Sequence, residues 1–220
     1  VFMRNLVLAG AAAAALLLTA GTASAATVLL ESTFEDIAVG SNSYVIVNTA
    51  DGWTKGDGYG SGVAGIEVQN NVAGAPAANG GLKFVELDST ANSSMYYTFS
   101  YTGRVDLSFL YSPRPNVSAD SNGISILLNG QLLNPPLTVT GGPLQQTQWQ
   151  TYGANFSVNS GDILSFSAVG TNDSLGGYVD NITISAVPEP ATWAMMIIGF
   201  ASAGSMVRSA RRKQALAAAA

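Results

Sequence analysis

Glu67, Glu86 and Asp88 fall on neighbouring strand candidates, and two carboxylates about 5–10 Å apart across a sugar are what glycoside hydrolysis requires. Such a pair is the strongest catalytic candidate the composition leaves open. The chain has no histidine and no cysteine. That removes imidazole bases, Ser-His-Asp triads, thiolate nucleophiles, disulfides and zinc–thiolate sites. A bound metal would be a hard cation held by oxygens, calcium first. Strand alternation puts Glu67 in phase with Gly65 and Gln69, and Glu86 in phase with Phe84 and Asp88, the pattern of solvated strand faces on any acidic β protein. No catalytic residue is assigned and the chain reads as a non-enzyme. A carboxylate-based glycan hydrolase or lyase is the alternative.

Aromatic and guanidinium groups suit binding rather than turnover. Flat rings stack on the C–H faces of pyranoses, and Arg, Asn and Asp hydrogen-bond the hydroxyls. The candidates are Trp53, Tyr59, Tyr111 and Arg114, with Trp149 and Tyr152 beside them. Trp53 and Tyr59 belong to the stretch DGWTKGDGYGSG, read as a long Gly-rich loop in which an aromatic has no core to fill. Arg114 stands between Pro113 and Pro115, which stiffen its loop. Loops at the ends of a β scaffold are where binding residues tend to be displayed. Core packing stays open for Trp53 and is the expected role of Trp149.

These side chains need strands to hold them. RVDLSFLY sets Val105, Leu107, Phe109 and Tyr111 on one face, and DILSFSAV alternates Leu164, Phe166 and Ala168 with serines. YVDNITIS puts Asp180, Ile182 and Ile184 in phase. Further strands are expected at 27–34, 43–48, 64–69, 81–87, 94–100, 123–130 and 149–158. Clusters of Gly, Asn, Asp, Ser and Pro separate them, and GTNDSLGG (170–177) reads as a hairpin loop. No helical period persists, so the middle of the chain is expected to be all-β, a two-sheet jelly-roll sandwich.

The two ends differ from this middle. Between Glu31 and Asp180 there are thirteen acidic residues against Lys55, Lys83, Arg104 and Arg114, a formal charge of 4 − 13 = −9. An acidic domain of this kind repels phosphate backbones, so no nucleic-acid partner is expected. Arg4, an apolar run over Leu6–Ala20 and the small-x-small site Ala23-Ser24-Ala25 make residues 1–25 a secretory signal peptide, handled by the secretion translocon and signal peptidase. The exported domain is then 26–186. At the other end, 191–207 is uncharged and is followed by Arg208, Arg211, Arg212 and Lys213. That order predicts a transmembrane helix at 191–207, a basic cytoplasmic end at 208–213 and a disordered tail at 214–220.

Val187-Pro188-Glu189-Pro190, Trp193-Ala194-Met195-Met196 and the basic end resemble the PEP-CTERM sorting signal over 187–213. The resemblance implies that an exosortase in the inner membrane recognises the tail and cuts near Pro188-Glu189-Pro190. The domain would be anchored transiently and then released to the cell surface or exterior, in the setting of exopolysaccharide. Pro188 and Pro190 cannot continue a helix and keep this junction extended.

A second resemblance rests on FED (34–36), GW (52–53), GIEVQ (65–69), KFVELDS (83–89) and GTNDSLGGYVDNITIS (170–185). These resemble the galactose-binding-like jelly-roll modules, which implies a carbohydrate-binding or matrix module with polysaccharide as partner. No cofactor is required by it. At Glu35 and Asp180 two readings stand: a structural calcium held with backbone carbonyls, as the resemblance implies, or an Asp that caps a turn through backbone N–H groups.

Overall fold

The structure, a computed structural model, describes residues 26–56, 64–72, 75–133, 138–142, 144–187 and 190–218. The expected signal peptide with Ala23 and Ala25, the candidate Tyr59, and Pro188 and Glu189 lie outside the described residues. The chain divides into a β unit, Ala26–Val187, and a separate C-terminal part.

The β unit is built from β1 (Thr27–Ser32), β2 (Ser43–Val47), β3 (Thr49–Ala50), β4 (Trp53–Gly56), β5 (Ile66–Asn70), β6 (Lys83–Glu86), β7 (Ser94–Thr98), β8 (Gly103–Ser112), β9 (Gly123–Leu128), β10 (Gln131–Leu132), β11 (Thr138–Val139), β12 (Gln150–Val158), β13 (Ile163–Val169) and β14 (Tyr178–Ala186). The first sheet runs β12-β8-β14-β6-β5-β2, with β1 also on β14. The second runs β10-β9-β13-β7-β4-β3, with β11 also on β9. Their ladders are antiparallel. The expected sandwich is present, and β1 and β14 are neighbours.

Period-two alternation explains the packing. Val105, Leu107, Phe109 and Tyr111 of β8 are buried while Arg104, Asp106 and Ser108 are exposed. Their inward partners on the second sheet include Phe166, which meets Phe109 edge-to-face at 4.9 Å. Ile66, Val68, Val85, Leu87, Met95, Ile124 and Ile126 fill the same layer.

Four features depart from the sequence reading. Residues 53–56 are not loop but the strand β4, paired to both β3 and β7, because the Trp53 ring fills the core. The 170–177 segment is not a hairpin loop, since it carries the chain from β13 in the second sheet to β14 in the first. Asp180 does not share the face of Ile182 and Ile184. The β8 register passes from Asp180↔Leu110 to Thr183↔Ser108, three residues against two, with Asn181 at φ 48°. This bulge resets the alternation, so Val179, Ile182 and Ile184 enter the core while Asp180 turns outward.

The fourth concerns α1, Pro190–Ala218, which runs without a break through the basic cluster. Among the described residues no helix is long and apolar enough to cross a membrane. Thr192, Gly199, Ser202, Gly204 and Ser205 dilute the apolar stretch, although Ile197, Ile198, Phe200, Met206 and Val207 are exposed.

Candidate functional site

The outward face of the first sheet has an open part and a covered part. The open part is a hollow of about 470 Å³ lined by Glu31, Thr33, Asn79, Ser108, Leu110, Thr151, Asn181 and Thr183. Its floor follows from register: Glu31 lies opposite Thr183, Thr183 opposite Ser108, and Ser108 opposite Gly153, a row across four strands. The bulge at Asn181 adds one more polar side chain. Seven of the eight lining residues carry a hydroxyl, amide or carboxylate. Two other hollows, at Trp53–Thr54 and at Asp120–Gly170, have fewer such groups on their walls. None of the eight was singled out from sequence; the legible signal was the polar phase of β8 and β14.

The covered part holds the carboxylates that could have been catalytic. Glu67, Glu86 and Asp88 are buried, Glu86 and Asp88 completely, so they are not solvated strand faces. Loop groups from outside the sheet reach two of them: Arg114 and the Gly176 amide meet Glu86, and the Asp173 and Leu175 amides meet Asp88. Phe84 and Tyr178 form a small cluster with Ala75, and Ala77 and Trp149 pack against it. Trp149 lies 5.8 Å from the Phe84 ring and donates from Nε1 to the Pro76 carbonyl at 3.0 Å.

Arg114 Nη1 meets Glu86 Oε2 at 2.5 Å, and its guanidinium carbon lies 5.9 Å from the Tyr178 ring centroid. The Gly176 amide donates to Glu86 Oε1 at 2.5 Å. Gln69 Nε2 donates to Glu67 Oε1 at 2.8 Å and also to Glu86 Oε2. Burial pushes the Glu86 carboxyl up and the Arg114 guanidinium pulls it back down, and burial likewise raises Glu67. A carboxylate held this way has no path to a glycosidic oxygen, and its partners are structural.

Glu35 and Asp180 converge on the turn at 78–83. Glu35 Oε1 accepts the Leu82 and Lys83 amides at 2.7 and 2.9 Å, and Oε2 lies 3.8 Å from Lys83 Nζ. Asp180 Oδ2 accepts the Ala78 amide at 3.2 Å and Oδ1 accepts the Asn181 amide at 2.7 Å. Burial raises the Asp180 carboxyl to about 7, and these two amides oppose the rise. All four oxygens of the pair already face a donor or an ammonium. A calcium ion there would displace backbone amides, so these residues fit one poorly. Among the described residues no three Asp, Glu, His or Cys side chains gather to hold a metal.

Of the predicted sugar-binding residues within the described part of the chain, Trp53, Tyr111 and Arg114 are each engaged by the protein itself, and Tyr111 meets Tyr152 edge-to-face at 5.9 Å. Trp53 is fully buried, packed edge-to-face on Phe166 at 5.3 Å, with Nε1 donating to Ser32 Oγ at 2.9 Å. Tyr111 is buried and donates its hydroxyl to the Asn122 carbonyl at 2.7 Å, as its inward phase on β8 requires. Arg114 is taken up by Glu86. The first two are core residues and present no ring face to a ligand.

Residues 186–213 match the family described as the PEP-CTERM protein-sorting motif. No curated protein matches the chain. Among solved structures, the chain is similar to a CBM35 from Paenibacillus barcinonensis, at 20% identity, 66% of this chain, 99% of that chain and a TM-score of 0.37. It is also similar to a family 35 carbohydrate binding module from Clostridium thermocellum, at 14% identity over 74% and 100% of the two chains, with a TM-score of 0.41. A third is the CBM22-1 xylan-binding domain of Paenibacillus barcinonensis Xyn10C, at 16% identity over 76% and 99%, with a TM-score of 0.42. C-terminal to its jelly-roll β unit, the chain thus carries a PEP-CTERM sorting motif, the mark of an exported, cell-surface protein.

Proposed function

We propose that the chain is an exosortase substrate whose β unit binds a polysaccharide of the cell surface or matrix through the hollow on the first sheet. The observation that supports this most directly is the lining of that hollow. Seven hydrogen-bonding side chains stand on a strand platform with one apolar residue, Leu110, among them. Hydroxyls and amides at fixed spacing suit an array of sugar hydroxyls, and rigid elements place such groups better than loops. Glu31 is the single charge in the lining, which favours a neutral glycan over an acidic one. With Trp53 and Tyr111 in the core, recognition would run through hydrogen bonds rather than ring stacking. The reading contains no catalytic step.

The test is affinity electrophoresis or a glycan array with the purified full chain. Asn181→Gly keeps a backbone that glycine adopts freely at φ 48° and removes one side chain from the hollow. Paired with Thr183→Val, it is expected to weaken binding by about tenfold, as the loss of one or two hydrogen bonds would, with an unchanged melting temperature. A wild-type chain that binds no glycan, or a double variant that binds as well as wild type, overturns the assignment.

A further inference from the structure

The buried polar groups of the β unit are satisfied with few exceptions, and three of those exceptions lie in one five-residue turn. Asp88 Oδ1, Ser89 Oγ and Asn92 Oδ1 are buried without a hydrogen-bond partner. Asp88 is fully buried, and Ser89 and Asn92 are each 7% exposed. Asp88 and Asn92 face each other across an isolated antiparallel bridge, so their side chains leave the backbone on the same side.

Both side chains are held in orientation by the 170–175 loop. Asp88 Oδ2 accepts the Asp173 amide at 3.1 Å and the Leu175 amide at 3.4 Å, which leaves Oδ1 as the free oxygen. Asn92 Nδ2 donates to the Gly170 carbonyl at 3.1 Å, which fixes Oδ1 at the other end of the amide. The free atoms of Asp88 and Asn92 are acceptors only, and neither can satisfy the other.

The charges that act on Asp88 are acidic. The Asp173 carboxylate lies close enough to repel Asp88, and Glu67 repels it from the neighbouring strand. The ion pairs among the described residues are Lys83–Glu35 and Arg114–Glu86, so no basic side chain is paired with Asp88. Buried acceptors beside two carboxylates call for a cation with a preference for oxygen.

We infer that the junction of the 88–92 turn with the 170–175 loop binds a calcium ion through Asp88, Ser89 and Asn92, with the Asp173 carboxylate contributing charge. A carboxylate, an amide oxygen and a hydroxyl suit a hard cation, and water completes the six to eight ligands calcium takes. This differs from the position expected from sequence. At Glu35 and Asp180 every carboxylate oxygen already faces a donor or an ammonium, whereas three of the four buried oxygens without a partner among the described residues are at 88–92.

The experiment is calorimetric titration of the chelator-treated full chain with calcium chloride, with melting curves in calcium and in EGTA. One ion per chain is expected, with a higher melting temperature in calcium. Asp88→Asn keeps the shape and the Asp173 and Leu175 acceptor and should weaken binding at least about tenfold, the scale of losing a ligand charge. Should that variant fail to fold, Asn92→Ala is the second arm and should weaken binding several-fold. Glu35→Gln is expected to leave affinity unchanged. No calcium binding by the wild-type chain overturns the proposal, and so does binding that Glu35→Gln abolishes while Asp88→Asn retains it. Neither result touches the glycan hollow, which is read out separately.

Discussion

Arg114 and Glu86 form an ion pair at 2.5 Å between a loop guanidinium and a strand carboxylate that solvent does not reach. Sequence alone offers a ligand-binding arginine and a carboxylate on a solvated strand face; the fold makes them each other's partner. Removing one member leaves a buried charge without compensation, which commonly costs about 3–5 kcal/mol.

Arg114→Ala is therefore expected to destabilise the β unit by roughly that amount. Arg104→Ala, which removes an exposed bond to Asn155, should stay within about 0.5 kcal/mol. Adding Glu86→Gln to Arg114→Ala should recover part of the loss, because the neutral amide no longer needs a counter-charge. Urea unfolding followed by tryptophan fluorescence measures all three. Equal losses for the single and double variants would mean that packing on Tyr178, not charge, dominates.

Trp53 gives a prediction that separates core from ligand site. Trp53→Ala should cost about 3–5 kcal/mol through the cavity it leaves. Trp53→Phe should keep the chain folded at lower stability, losing the indole bond to Ser32 Oγ. Glycan affinity of the folded Phe variant should match wild type. A selective loss of affinity would return Trp53 to the binding surface.

Asp180 sets a direction for pH dependence. Burial raises its carboxyl in the folded state to about 7, well above the ordinary value of about 3.9. The folded state then holds the proton over a range in which the unfolded chain has released it. Stability from this group is present at low pH and declines as pH rises from about 4 to about 7. With EDTA present, the melting temperature of Asp180→Asn should fall less than that of wild type between pH 5 and pH 7. The difference should be a few degrees, as expected for a domain of this size. Parallel curves would show that Asp180 titrates normally.

The sorting motif is tested in the cell. Replacing Pro188, Glu189 and Pro190 by alanine should leave the chain uncleaved in the cell-bound fraction, with its tail detectable by mass. Release of that variant at the wild-type rate would remove the motif from the sorting step.

Much of the scaffold was legible because the strands alternate. All ten expected strands are present, and the β1–β14 pairing follows from the expected sandwich. What could not be read depends on contacts distant in sequence. The turn chemistry around Trp53 concealed β4, whose indole is placed by Ser32, Tyr97 and, more than a hundred residues later, Phe166. The single inserted residue at Asn181 reversed the face of Asp180, and no composition signal marks a bulge of this kind. Glu67, Glu86 and Asp88 have the phase of a solvated face. They are buried because segments from elsewhere in the chain close on that end of the sheet, among them Arg114 and Gly176 on Glu86 and the Asp173 and Leu175 amides on Asp88. The polar lining of the hollow was visible as strand phase but not as a site, since four strands must assemble before its row exists.

Thr27 and Ala186 are register partners at the outer end of the β1–β14 ladder. The polypeptide therefore comes into the sandwich and leaves it at one pole, the threads side by side. Whatever is trimmed upstream or downstream is trimmed there, and neither cut disturbs a ladder beyond its last rung. Tyr178, at the start of the same strand and opposite Glu86, is about 25 Å away along it, so the β6 end that leads into the Asp88 turn lies at the other pole of the β unit.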